Sequence, residues 1–376
     1  MARLCIVGRV PSVYTLTGGE APGGERKSSM RWSYNLERSY TAAFWLFTVA
    51  AFVALMVIVG GATRLTGSGL SITEWRPVTG VIPPMSQAAW AAEFARYQHI
   101  PQYKLVNLGM SLGQFKTLYW WEWTHRLLGR LVGLVFVVPF VVLASTRRLP
   151  RRLIWRCIAI FALGALQGLA GWWMVASGLD KNVLVAPERL AIHLGLALLI
   201  VIACVWNGLE AWFGRARAGG YMADPVWMRG AAGLVIIVFL QAMLGALVAG
   251  NQAGRIYTDW PMMNGRFFPA AYALKGEGMW KVLAHSQAAV QFNHRIVAYL
   301  LLASVLAYFA GVAKGVAPEA VKRLALWMAA AVLLQALLGV LTLRMATPLA
   351  LGLAHQFGAV CVLTLATTLA WRVRRP

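Results

Sequence analysis

Residues 121–144 read WEWTHRLLGRLVGLVFVVPFVVLA. After His125 and Arg126 the segment is apolar to Ala144, interrupted by the single charge of Arg130. About 20 such residues, wound as a helix, cross the hydrocarbon core of a bilayer. Trp120, Trp121 and Trp123 crowd its front end, where an aromatic belt marks the interface between membrane and water. A second stretch, VQFNHRIVAYLLLASVLAYFAGVA at 290–313, has the same plan, with His294 and Arg295 where the first has His125 and Arg126. Two matching histidine-headed spans in one chain point to a duplicated membrane architecture.

Working outward, eight apolar runs qualify as spans, at roughly 41–63, 121–144, 154–176, 188–208, 229–250, 290–313, 321–343 and 349–371. The composition agrees. Of 376 residues, 59% are hydrophobic and 13% charged, against about 45–50% and about 25% in a soluble globular protein. The mean hydropathy is +0.62. A net charge of +22 would suggest nucleic acid in a soluble protein. Here the basic residues sit in the connections between spans, and nucleic-acid binding is excluded.

The positive charges orient the chain. Arg147, Arg148, Arg151, Arg152 and Arg156 follow span 2, Arg215, Arg217 and Arg229 follow span 4, and Lys314, Lys322 and Arg323 follow span 6. Arg372, Arg374 and Arg375 end the chain. The positive-inside rule then puts both termini in the cytoplasm, with the protein in the cell inner membrane. The long connections 64–120 and 251–289 lie outside and are expected to cap the bundle.

The halves repeat. Thr73-Glu74-Trp75-Arg76-Pro77 corresponds to Thr258-Asp259-Trp260-Pro261, and Glu122-Trp123-Thr124-His125-Arg126 to Gln291-Phe292-Asn293-His294-Arg295. Pro187 precedes His193 as Pro348 precedes His355. Spans 3, 5 and 7 share Leu-Gln-x-x-x-Gly, at Gln167/Gly171, Gln241/Gly245 and Gln335/Gly339. With four spans per half the repeats are parallel, related by an axis along the membrane normal. The expected fold is all-α, eight transmembrane helices arranged as two tandem pseudo-symmetric four-helix bundles. Residues 1–36 form a cytoplasmic, disordered tail, 37–215 the first bundle and 216–376 the second. Met1 and Met30 are both candidate starts, and no signal peptide is evident.

Four of the six histidines, His125, His193, His294 and His355, head the even-numbered spans within about 10 Å of their outer ends, at 1.5 Å per residue. His99 and His285 fall in the outer loops. Ionisable groups inside a membrane are costly and are read as functional. Spans 2 and 4 can face each other across one bundle, and 6 and 8 across the other, so each histidine pair can clamp one flat ligand with a central metal. Haem fits this layout, with two imidazoles as axial ligands in an apolar interior. Zinc or copper would want more ligands. Cys5, Cys157, Cys204 and Cys361 are scattered singly and signal neither a metal site nor a disulfide framework. Arg126 and Arg295 are placed to meet haem propionates. Glu122, three residues before His125 on one helix face, corresponds to Gln291, which cannot ionise. That difference suggests chemistry in the first pocket only, with Glu122 as a catalytic group that takes a proton or stabilises positive charge developing on the substrate.

Gly60-Gly61-Ala62-Thr63-Arg64-Leu65-Thr66-Gly67-Ser68-Gly69-Leu70-Ser71 through Glu74-Trp75, with Glu122–Arg126, Asn293-His294-Arg295 and His355, resembles the haem A synthase family from about residue 36 to 372. The resemblance implies oxidation of the C8 methyl of haem O to a formyl group by successive hydroxylations. It implies a haem b cofactor on His294 and His355, and a haem O substrate received by His125, His193 and Glu122. A haem O synthase as membrane partner, an external electron acceptor and a homo-oligomer are compatible with it. The first outer loop lacks the cysteine pair of some bacterial members, so the chain is similar to the proteobacterial and mitochondrial branch. A di-haem carrier resembling a membrane cytochrome b, and a haem-handling assembly protein without chemistry, are the alternatives.

Overall fold

Eight helices of the computed structural model are long and apolar enough to cross a membrane. Residues 38–180, 182–214, 225–273 and 276–375 are described. The expected tail at 1–36, Arg215 and Arg217 lie outside them. Among the described residues there are helices and no strand, only an isolated bridge between Met263 and Arg266.

The first half contains α1 (Tyr40–Leu65), the short α2 (Gln87–Gln98) and α3 (Pro101–Leu105), then α4 (Leu112–Ser145), α5 (Arg151–Leu179) and α6 (Pro187–Phe213). The second contains α7 (Pro225–Gly250), the short α8 (Met279–His285), α9 (Gln287–Lys314), α10 (Glu319–Arg344) and α11 (Leu349–Arg372). Prolines at the starts of α6 and α7, and just before α5, α10 and α11, suit positions where a missing N–H costs nothing. Ser39 caps α1 by accepting from the Ala42 N–H at 3.3 Å.

Helix α4 starts nine residues before the expected span. Ser111 and Gln114 close a capping box there, and the first turns lie beside α2, with Trp90 edge-on to Tyr119 at 4.9 Å. Polar and aromatic residues from Leu112 to Trp120 hide this extension from a hydropathy reading. His125 is therefore not near its helix start but thirteen residues in, about 20 Å along the axis. His193, His294 and His355 stand six or seven residues in, as expected.

The helix neighbours repeat between halves. Helix α1 packs on α4 and α6, and α6 on α5; correspondingly α7 packs on α9 and α11, and α11 on α10. The histidine-bearing helices are thus diagonal to each other within each bundle. The halves join along α6 with α7 and α11, and α1 with α11. Helices α1 and α6 are accordingly the most enclosed spans, 44% and 50% buried against 17–22% for the others. Leu46 and Val49 of α1, Leu198 and Val201 of α6, and Leu363 of α11 are all but fully buried. Gly208 lets α6 come close to α1, since a Cβ there would lie 2.6 Å from the Phe47 ring.

One neighbour relation is not repeated. Helices α9 and α10 pack along each other, whereas α4 and α5 make far less contact. The inward rows differ accordingly: Ala329 and Val332 of α10 are buried, while Phe161 and Gly164, at the matching positions of α5, are exposed. Nothing lies within 4 Å of a Cβ built at Gly133 of α4, or at Gly164 and Gly168 of α5. The first bundle is open on this flank and the second is closed.

Candidate functional site

Each of the four span histidines rests on a glycine of a neighbouring odd-numbered span. A Cβ on Gly60 of α1 would come 3.0 Å from His125 Nε2. Cβ atoms on Gly171 of α5, Gly245 of α7 and Gly339 of α10 would come 2.9, 3.2 and 2.8 Å from Cε1 of His193, His294 and His355. Glycine is used at these positions for space. The three shared Leu-Gln-x-x-x-Gly stretches thereby acquire a physical reading, as ring seats. Gly339→Val is expected to push His355 out of its seat and to cut the haem retained by the purified protein at least severalfold. A variant with full haem content and an unchanged spectrum would show that the seat is dispensable.

In the second half, the His294 and His355 rings lie edge-on to one another, with centroids 6.5 Å apart and planes crossed at 81°. Two metal–nitrogen bonds of about 2 Å together with the two half-rings span roughly 6 Å, so the ring separation suits one metal between them. In the first half, His125 and His193 stand on the diagonal helices α4 and α6, each against its glycine seat. His193 Nδ1 is buried with no hydrogen-bond partner, as are the Gln167 and Gln241 carbonyl oxygens beside the histidines. Buried polar atoms are normally partnered, so the surroundings of both histidine pairs have the chemistry of ligand sites. Among the described residues no group of three or more His, Cys, Asp or Glu side chains could hold a bare metal ion. The donor set fits haem, whose macrocycle brings the remaining ligands itself.

Glu122 is 2% exposed. Its Oε2 accepts from Ser71 Oγ and from the Ile72 N–H, both at 2.8 Å, and its Oε1 pairs with Arg126 at 2.5 Å. Arg126 in turn donates to the carbonyls of Ile72 at 2.7 Å and Glu74 at 3.0 Å. The pair therefore grips the first long connection. Gln291 and Arg295 do the same for the second, with the opposite polarity. Gln291 Nε2 donates to the carbonyls of Ala253 at 3.0 Å and Tyr257 at 3.2 Å, and Arg295 donates to those of Tyr257 at 3.0 Å and Met262 at 2.9 Å. The Glu/Gln difference matches what each loop offers: N–H and O–H donors at 71–72, carbonyl acceptors at 253–257. This loop-gripping role was not legible in the residues alone. Both guanidinium groups, read from the sequence as propionate partners, are largely engaged with loop carbonyls. Arg295 Nε is buried without a partner.

The other titratable candidates stand apart. His99 is exposed, and His285 pairs with Glu188 at 3.5 Å. Asp259 accepts from the Gly265 N–H at 3.3 Å. Although desolvation works the other way, the N–H groups of Asn264 and Gly265 hold its carboxyl below the usual range. Cys157 and Cys204 are buried free thiols and Cys361 is an exposed one. Arg64 of α1 reaches the other half, donating to the carbonyls of Ala249 at 2.8 Å and Gly250 at 3.1 Å at the end of α7, where positive charge suits the helix dipole.

The sequence that builds this arrangement is similar to those of known proteins over nearly the whole chain. A heme A synthase of Caulobacter sp. (strain K31) is 54% identical over 341 residues, covering 90% of this chain and 98% of the relative. One from Caulobacter vibrioides is 55% identical with the same coverage, and one from Parvibaculum lavamentivorans is 48% identical over 89% of this chain and 94% of its own length. The cytochrome oxidase assembly protein family matches residues 43–367. With its paired histidines, its duplicated bundles and this match, the chain belongs to the cytochrome oxidase assembly protein family.

Proposed function

We propose that this protein is a haem A synthase, an oxidoreductase that converts the C8 methyl of haem O to a formyl group by successive hydroxylations. The observation that carries the two-haem reading is the His294–His355 pair, 6.5 Å apart across the second bundle, accompanied by a second histidine pair in the first.

The two pockets are assigned different work. His294 and His355 hold a resident haem b in the closed second bundle, which supplies one-electron redox chemistry when bound. His125 and His193 receive haem O in the first bundle, whose open flank between α4 and α5 admits an apolar ligand from the bilayer. Glu122 and Arg126 seat residues 71–74 over that pocket, keeping water from it and fixing the ring edge that reacts. Glu122 is a positioning residue here, because its oxygens are occupied by the loop and Arg126. Arg295 Nε is the donor left for a carboxylate of the resident group. The domains follow as 37–215 for substrate and 216–376 for cofactor. The basic connections support an orientation with both termini in the cytoplasm, in keeping with an inner-membrane protein. A haem O synthase supplies the substrate, and an external acceptor takes the electrons.

The test is co-expression with a source of haem O in a host without this activity. Haem A should appear by mass spectrometry of extracted pigment, and the purified protein should carry haem b. Both pockets loaded with haem and no haem A formed would favour a di-haem electron carrier instead.

A further inference from the structure

The Leu-Gln-x-x-x-Gly stretches do more than seat rings. Four residues before each seat glycine is the side chain that faces the same histidine. Gln335 Nε2 lies 3.1 Å from His355 Nδ1 and donates to the His355 carbonyl at 2.7 Å. Gln241 Nε2 lies 3.1 Å from His294 Nδ1 and donates to the His294 carbonyl at 3.0 Å. Each thus binds ring and backbone of one histidine together. Gly358 makes room for the Gln335 carbonyl, which a Cβ there would strike. In the first half the support weakens. Gln167 approaches His193 only at Nε2, at 3.4 Å. At the fourth seat, Gly60 of α1, the corresponding residue is Met56. Its methyl lies against α4, where a Cβ on Gly129 would be 3.2 Å away, and among the described residues no hydrogen bond reaches the His125 ring.

A metal-bound imidazole needs its second nitrogen fixed by a hydrogen bond, which sets tautomer and ring orientation; removing that partner typically lowers metal affinity about 10–100-fold. A glutamine amide can serve either nitrogen state, because it carries both a donor and an acceptor. The buried, unpartnered carbonyl oxygens of Gln167 and Gln241 are available to accept an Nδ1–H once iron holds the other nitrogen. A thioether offers only a weak acceptor.

We propose that Gln241 and Gln335 lock the two ligands of the resident haem, Gln167 holds His193 loosely, and Met56 leaves His125 unsupported so that the first pocket can release its haem. Retention and turnover in two pockets of the same plan are thereby divided by one position of a repeated motif. The inference rests on the two-haem reading above and names the exchange-determining residues within it.

The experiment uses the full-length protein in detergent, loaded with haem, and follows dissociation by transfer to excess apomyoglobin, together with the low-spin ferric EPR spectrum. Gln335→Leu and Gln241→Leu should speed loss of haem b about tenfold or more and move the EPR g-values, with partial recovery of both in the Gln→Glu variants. Met56→Gln should slow release from the first pocket at least severalfold, whereas Met56→Leu should leave it as in the parent. Unchanged g-values and release in both leucine variants would reduce the glutamines to packing. Release unaltered in a folded, haem-loaded Met56→Gln protein would overturn the role of Met56. These readouts depend on haem binding alone. If the parent binds two haems yet makes no haem A, the synthase reading fails while this one stands; if the parent binds none, both fail.

Discussion

His355→Ala is expected to leave the purified protein with almost no resident haem b and no measurable haem A formation, and His294→Ala to do the same. On the proposed reading each ring would hold the iron of the resident haem from its own helix, and the rings already stand 6.5 Å apart. Removing a ligand outright must cost more than the roughly 10–100-fold loss of affinity that follows removal of a supporting residue. It also leaves the Gln335 amide, now lacking its ring partner at 3.1 Å, in an apolar interior. Pyridine haemochrome analysis of the purified variant reads the first effect and mass spectrometry of extracted pigment the second. Full haem b content with normal conversion would remove His355 from the site.

Glu122→Gln is expected to spare haem b in the second half but to lower conversion tenfold or more. The substitution is nearly isosteric, so it tests polarity rather than packing. An amide in this position sets an N–H₂ group against the Ile72 N–H or against the Arg126 guanidinium, both of which can only donate. A buried donor left unsatisfied costs about 1–3 kcal/mol, and each 1.36 kcal/mol lost from transition-state stabilisation is about tenfold in rate. Gln291→Glu makes the converse error, turning a carboxylate toward the carbonyls of Ala253 and Tyr257. A double exchange of Glu122 and Gln291 should therefore not rescue either single variant. Conversion by Glu122→Gln within twofold of the parent would show that the grip on residues 71–72 is not needed for turnover.

Much of this molecule was open to reading along the chain because its strongest signals are local. Hydropathy over about 20 residues located all eight spans, and their ends fell within a few residues of the helices except at α4. There the residues from Leu112 onward continue the helix without enough hydropathy to announce it, and α2 supplies their packing. The histidines, the repeated motifs and the Glu122/Gln291 difference were equally visible, since each is a matter of residue identity and spacing.

What lay beyond the sequence was the partner of each polar group. Glu122 was legible as an acid beside His125, but its neighbours include the Ile72 N–H fifty residues away, and backbone donors have no letter of their own. Gln167, Gln241 and Gln335 were visible as a motif without a purpose until α5, α7 and α10 were set against the histidine-bearing helices. Met56 was not visible at all, because it is one methionine among apolar residues and acquires meaning only from its place four residues before Gly60. By itself, then, the sequence determined an eight-span, duplicated protein with four histidines at related depths, because transfer of apolar residues into a bilayer depends on composition along the chain. Only the tertiary structure decided which carbonyls and N–H groups meet Glu122 and Gln291, which histidines are held twice, once or not at all, and which bundle stays open. Hydrogen-bond polarity and helix separation are relations between elements, and they exist only once the helices have packed.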